Sequence, residues 1–259
     1  MDHRVFQEYV NASQAIYEVW RTENDHEMID GFEKDHVPEP YLNYGFRGLE
    51  ESCVFLTTNP GQGMDHQLRA GIEELSGGAL PREYLPLSVS LAEFYEGSPD
   101  LNGSARGNVR RMKEIARALG RPGVLQVELI PWHSASLPNK DRALSRLSEH
   151  ELYADYYDAL TRLIGVSPVV LSWSAGIPER RGGVGVEFKA NAMKLDVASA
   201  ELLKISSREG GVSQGLLWKR EAGRLRGLFV TRGSANLPAD RTLESGTTRY
   251  RSIAAAVSA

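Results

Sequence analysis

Residues 53–66 read CVFLTTNPGQGMDH, and this stretch decides the fold. Cys53–Thr58 is a short apolar run with β-branched and aromatic residues, the composition of a buried strand. It breaks abruptly into a polar turn of Asn, Pro and Gly. Residues 124–138, VLQVELIPWHSASLP, repeat the plan: an apolar strand Val124–Ile130, then a turn carrying Pro, Trp, His and Ser. In open α/β sheets, ligands bind where loops leave the carboxyl ends of parallel strands. Two such endings in one chain predict a single site at a sheet edge.

Working outward, residues 3–22 place Val5, Tyr9, Val10, Ile16 and Val19 at roughly helical spacing. The stretch 23–50 is acidic and loop-like and ends in VPEPYLNYG. A short helix is expected over 67–76. Residues 77–103 are rich in Gly, Pro and Ser and show little periodicity, which points to a functional loop or a cap. Over 105–119, Val109, Met112, Ile115, Ala116 and Leu119 form one apolar stripe, and Gly120, Pro122 and Gly123 end the helix. Residues 148–164 read as a helix with Leu152, Tyr156, Leu160 and Leu163 inward. Val169–Trp173 is a third strand behind Pro168, Leu225–Thr231 a last one, and 247–258 a terminal helix. Residues 177–220 are mixed and fit no single assignment.

Strands alternating with helices at this spacing predict an α/β fold, a mainly parallel central sheet covered on both faces. The expected organisation is one α/β domain over 1–259, with an acidic helical N-terminal extension at 1–52 and a core at 53–240.

The chain has 259 residues, 41% hydrophobic and 25% charged, enough to bury a core. Its one cysteine, Cys53, excludes an intramolecular disulfide framework and a cysteine-based zinc site. No HxH, HExxH or Cys/His cluster occurs, so no metal is expected. No apolar run reaches the length of a membrane span, and MDHRVFQEYV lacks a basic then apolar leader, so a cytoplasmic protein is expected. Net charge is −4 but uneven. Residues 1–52 carry 12 Asp/Glu against 4 Lys/Arg, whereas 105–122 carry 6 Lys/Arg against 1 Glu and 176–232 carry 11 against 6. The basic segments read either as solvated helix faces or as a phosphate-binding surface, with Arg106, Arg110 and Arg111 as its candidates.

In NPGQG, Pro60 fixes the backbone, while Gly61 and Gly63 permit close approach to a ligand. Asn59 either orients a water or ligand carbonyl or simply caps a turn. The Walker pattern is excluded because no lysine follows. In ELIPWHS, Glu128 is a carboxylate inside an apolar strand, which is rare unless paired or functional. Trp132 offers a stacking face or core packing, and His133 an acid, base or hydrogen-bond donor or a plain turn histidine. Ser134 can bond a phosphate or a backbone amide. In FVTRGSANLP, Arg232, Ser234 and Asn236 suit phosphate oxygens or a capped surface turn. Ser172 and Ser174 flank Trp173 and read mainly as packing; GxSxG is absent.

The order of these segments resembles the uracil-DNA glycosylase superfamily, in the branches whose first motif is Asn-Pro-Gly. The family pattern Gly-x-Asn-Pro-Gly is matched by Thr57-Thr58-Asn59-Pro60-Gly61, with the leading glycine replaced. VVLSWSA resembles a later strand of the family, and FVTRGSANLP stands where the family has a His-Pro-Ser-Pro loop. Arg232 takes the place of that histidine and Ser234 that of the serine, while both prolines are missing from their usual places. PEPY and PWHS also look like a divergent bacterial branch, and the resemblance spans roughly 36–240.

The resemblance implies a three-layer α/β/α fold and an N-glycosylase that needs no cofactor, acting as a monomer on single- or double-stranded DNA. By it, Asn59 positions water, backbone amides of Gly61, Gln62 and Gly63 hold the base, and Trp132 stacks on it. Glu128 falls near the base-reading position, and His133 or Arg232 stabilises the departing base. Ser134, Ser234, Asn236 and the basic helix hold DNA. A carboxylate at Glu128 would favour an exocyclic amine, hence a cytosine-like or modified base. Two rivals stand beside this reading: a catalytically inactive nucleic-acid or nucleotide binding module, and a small-molecule hydrolase using Glu128 and His133.

Overall fold

The computed structural model describes residues 2–22, 31–58, 60–97, 103–134, 145–172, 200–206 and 212–217. It is mixed α/β. Helix α1 (Asp2–Thr22) is followed by β1 (Tyr41–Tyr44), β2 (Ser52–Thr57), α2 (Arg69–Leu75), α3 (Tyr84–Gly97), α4 (Gly103–Ala118) and β3 (Gly123–Glu128). Then come α5 (Glu151–Val166), β4 (Val170–Leu171), β5 (Glu201–Ser206) and β6 (Val212–Leu217). The expected strand Leu225–Thr231 and helix 247–258 lie outside the described residues, as do Trp173 and Ser174.

Four strands form a sheet in the order β1-β3-β2-β4, and β5 and β6 form an antiparallel pair. β2 and β4 run parallel, with Val54 beside Val170 and Phe55 beside Leu171. β3 runs the same way: a Cβ at Gly123 would meet Ser52, and the Leu129 N–H donates to the Thr57 carbonyl at 3.0 Å. β1 is the antiparallel edge. The end of β3 meets its beginning, Glu128 N–H to Pro40 O at 3.0 Å, and Gly123 lies against the Gly45 carbonyl beyond its end. A side chain at Gly123 would collide with that carbonyl and with the Ser52 hydroxyl, so glycine is required where β3 begins.

Two elements depart from expectation. β1 lies in the stretch expected as an acidic loop, being too short to show a period. α3 occupies much of 77–103. Its buried Tyr84, Leu87, Leu91, Ala92 and Tyr95 do follow helical spacing, but Leu85, Val89 and Phe94 on other faces hide the stripe. Pro86 sits in the first turn, where a missing N–H costs no helical bond.

The chain divides into two compact units. One comprises Met1–Asn43, Thr57–Glu93 and Gln126–Val166. In it α1 packs on α5: the Tyr9 and Tyr156 rings are 5.7 Å apart, the Tyr9 hydroxyl donates to the Pro40 carbonyl at 2.7 Å, and the Tyr156 hydroxyl donates to the Glu128 carbonyl at 2.5 Å. Tyr84 extends this aromatic core, standing edge-on to Tyr41 at 5.1 Å and donating to its carbonyl. The other unit comprises Tyr44–Leu56, Phe94–Leu125 and Ser167–Ala259. There α4 buries Val109, Met112, Ile115 and Ala116 and exposes Arg110 and Arg117, while Lys113 pairs with Glu96 at 2.6 Å. Ser172 closes the β2–β4 edge by donating to the Leu56 carbonyl at 2.6 Å. Among the described residues no helix is long and apolar enough to cross a membrane.

Candidate active site

The candidate site lies within the first unit, where β2 and β3 end. Because the two strands are parallel neighbours, their exits emerge side by side. Ile130 N–H donates to Thr58 O at 2.8 Å, and Ser134 N–H rejoins the first loop at Gly61 O, 2.7 Å. Gly61 has φ 88°, a left-handed conformation that favours glycine. The segment 33–39 is laid across both exits. Glu33 N–H donates to His133 O at 3.0 Å, Glu39 N–H to Pro131 O at 2.7 Å, and Val37 N–H to Gln67 O at 2.8 Å.

Pro38 and Pro40 hold this segment extended and remove two backbone donors. Glu39 between them turns its carboxylate inward and is 2% exposed. Burying a carboxylate costs several kcal/mol unless it is compensated, as in roughly any low-dielectric interior. Gln67 supplies one compensation: its Nε2 donates to Glu39 Oε1 at 2.6 Å, while its Oε1 accepts from Met64 N–H at 2.6 Å. A second is His133, whose Nε2 lies 3.7 Å from Glu39 Oε1. That distance is in ion-pair range but longer than a hydrogen bond. His133 is 0% exposed, and neither ring nitrogen has a hydrogen-bond partner.

Two more histidines complete the cluster. The His36 ring lies 5.7 Å from that of His133, and its Nδ1 is 3.5 Å from the Glu33 carboxylate, which also accepts the Gly63 N–H at 2.7 Å. Any side chain at Gly63 would run into the His36 ring. Burial holds His36 below the usual histidine range, and His133 adds to this, while Glu33 and Asp65 oppose it. Burial likewise lowers His66, against the pull of Glu39. Among the described residues no group of His, Cys, Asp and Glu is arranged to hold a metal ion.

The structure thus brings together Gly61, Gln62, Gly63, His133 and Ser134, all named from the sequence. Trp132 is adjacent, 2% exposed, and packed against Phe32 at 5.8 Å and Tyr153 at 6.1 Å. Glu128 is buried in β3, its Oε1 accepting from Gln126 at 2.7 Å and its carbonyl from Tyr156 at 2.5 Å. The carboxylate at His133 is Glu39. Arg110 and Arg111 lie on α4 in the second unit. Asn59, Arg232, Ser234 and Asn236 lie outside the described residues, and so does the side chain of Arg106.

Sequence reasoning passed over Glu33, His36, Glu39, His66 and Gln67. One signal was present: a glutamate between two prolines directly before a strand has little ladder to join, so its side chain takes other partners. His36, His66 and Gln67 carried none, being isolated polar residues in loops. No family model matches the chain, and neither a curated protein nor a solved structure matches it.

Proposed function

We propose that the chain is a DNA base-excision N-glycosylase-like protein with a three-layer α/β/α, uracil-DNA-glycosylase-like fold. The observation that supports this reading is the joining of the Asn-Pro-Gly loop to the Pro-Trp-His-Ser loop through Ser134 and Gly61. It sets backbone amides and a buried imidazole at the mouth of two parallel strands. In this reading the nucleotide is extruded from DNA, single- or double-stranded, at a cost of about a few kcal/mol. Asn59 orients a water. The C1′–N bond breaks with its electron pair going to the base, the water oxygen bonds to C1′, and the water proton leaves to solvent. His133 stabilises the charge on the departing base. Since His133 is fully buried, a base meets it only after the surrounding loops shift. Arg232, Ser234 and the arginines of α4 hold phosphates, and the protein acts as a cytoplasmic monomer without a cofactor.

The test is strand cleavage after alkali, on end-labelled single- and double-stranded oligonucleotides carrying uracil, hypoxanthine, a thymine mismatch or hydroxymethylcytosine. Cleavage lost in Asn59→Ala supports the reading and names the base. Binding without cleavage on every substrate replaces it with the inactive module. Glu128→Gln then tests base choice: an unchanged preference removes Glu128 from base reading.

The buried His133–Glu39 pair favours a second reading, a small-molecule hydrolase built on that histidine. It predicts turnover without DNA and little salt dependence, whereas DNA binding weakens steeply as salt rises.

A further inference from the structure

We infer that Glu39 is the positioning residue of His133, and that Gln67 couples this pair to the Asn-Pro-Gly loop. The inference rests on the reading of His133 as the group that meets the substrate. Glu39 is tied on both sides of the site. Its own N–H is bonded to Pro131, two residues before His133, and its carboxylate is bonded to Gln67. Gln67 in turn accepts the Met64 N–H, three residues beyond Gly61. A shift of the 58–64 loop is therefore felt at Glu39 through two hydrogen bonds of 2.6 Å.

The consequence for His133 is electrostatic. The carboxylate at 3.7 Å faces Nε2, so of the two neutral tautomers it favours the one with its proton on Nε2. Nδ1 is then the nitrogen left to meet a ligand. Glu33 and Asp65 are directed at the neighbouring His36 and His66, so Glu39 is the carboxylate that faces His133.

The test needs no substrate. The full chain, labelled with 15N-histidine, is held at alkaline pH while long-range 1H–15N spectra report the tautomer of each ring. The His133 ring is expected to carry its proton on Nε2. In Glu39→Gln the share of that tautomer falls, Glu39→Asp restores part of it, and Gln67→Met gives a smaller fall. A proton on Nδ1 in the unmodified chain, which requires no variant to fold, overturns the inference. So does a tautomer ratio unmoved by Glu39→Gln.

If cleavage of DNA is found, Glu39→Gln is expected to lower kcat on the order of 100-fold with KM little changed, the scale of a misplaced catalytic group, and Glu39→Asp to restore part of it. Loss of activity with an unmoved tautomer ratio overturns the inference. The spectroscopic coupling without cleavage on any oligonucleotide leaves the Glu39–His133 relation standing and removes the glycosylase reading alone.

Discussion

Two sets of buried polar side chains sit in the same unit and are treated in opposite ways. Four of the tyrosines are satisfied: Tyr9 donates to Pro40, Tyr84 to Tyr41, Tyr153 to Leu129 and Tyr156 to Glu128, all backbone carbonyls at 2.5–2.9 Å. The histidine set is not. Both nitrogens of His133 and Nδ1 of His36 are buried without a hydrogen bond, and their carboxylates stay 3.7 and 3.5 Å away. A buried polar atom left unbonded costs about 1–3 kcal/mol, so a chain keeps such atoms only where something else requires them. The tyrosine set is a structural device that ties α1 and α5 to the backbone around β1 and β3. On the proposed reading, the histidine set is held ready for a ligand.

The comparison breaks most decisively at His133. On the proposed reading, His133→Gln, which keeps a polar partner for Glu39, is expected to reduce base excision about 100-fold or more and to change unfolding free energy by less than about 1 kcal/mol. Single-turnover cleavage and urea unfolding on one preparation measure both. Lost stability with activity intact would make His133 a structural residue like the tyrosines. Gly63→Ala comes next. The new methyl must displace the His36 ring and the loop together, an overpacking cost of about 1–3 kcal/mol, with excision falling as well. A variant as stable as the parent would show that the cluster is loose.

Tyr156→Phe tests the other side. It leaves the buried Glu128 carbonyl without its hydroxyl donor, for a loss of about 1–2 kcal/mol, and leaves excision unchanged per folded molecule. The smallest effect is pH dependence. His36 and His66 are both held below the unfolded value of 6.5, so above that value folded and unfolded chains bind the same protons at these sites. As pH falls through 6.5 the unfolded chain binds protons first, and stability drops until the folded-state values are passed. Urea midpoints above and below pH 6.5 measure the slope, and the double variant His36→Gln, His66→Gln is expected to flatten it.

The elements that carry the site were legible where apolar residues are dense and their period unbroken. The run at Cys53–Thr58 became β2, Val124–Ile130 became β3, and the stripe of Val109, Met112 and Ile115 became the buried face of α4. Legibility failed for α3, which is apolar on too many sides to show a stripe, and for β1, which is too short. In the site, Gly61, Gly63 and His133 stood out because they end strands. Trp132 was ambiguous, since an indole next to a polar turn packs or stacks with equal ease, and its neighbours Phe32 and Tyr153 come from distant parts of the chain.

The sequence by itself determined that two apolar strands end in polar, glycine-containing turns, because side-chain hydrophobicity and backbone freedom are local properties read over a few residues. Only the tertiary structure decided which carboxylate faces His133. Glu128 is five residues away along the chain but carries its side chain in the pleat of β3, beside Gln126. Glu39 is separated by more than ninety residues and arrives because two prolines hold its segment extended across both strand ends. Electrostatic partners are set by distance in space, and that distance depends on the order of strands in the sheet.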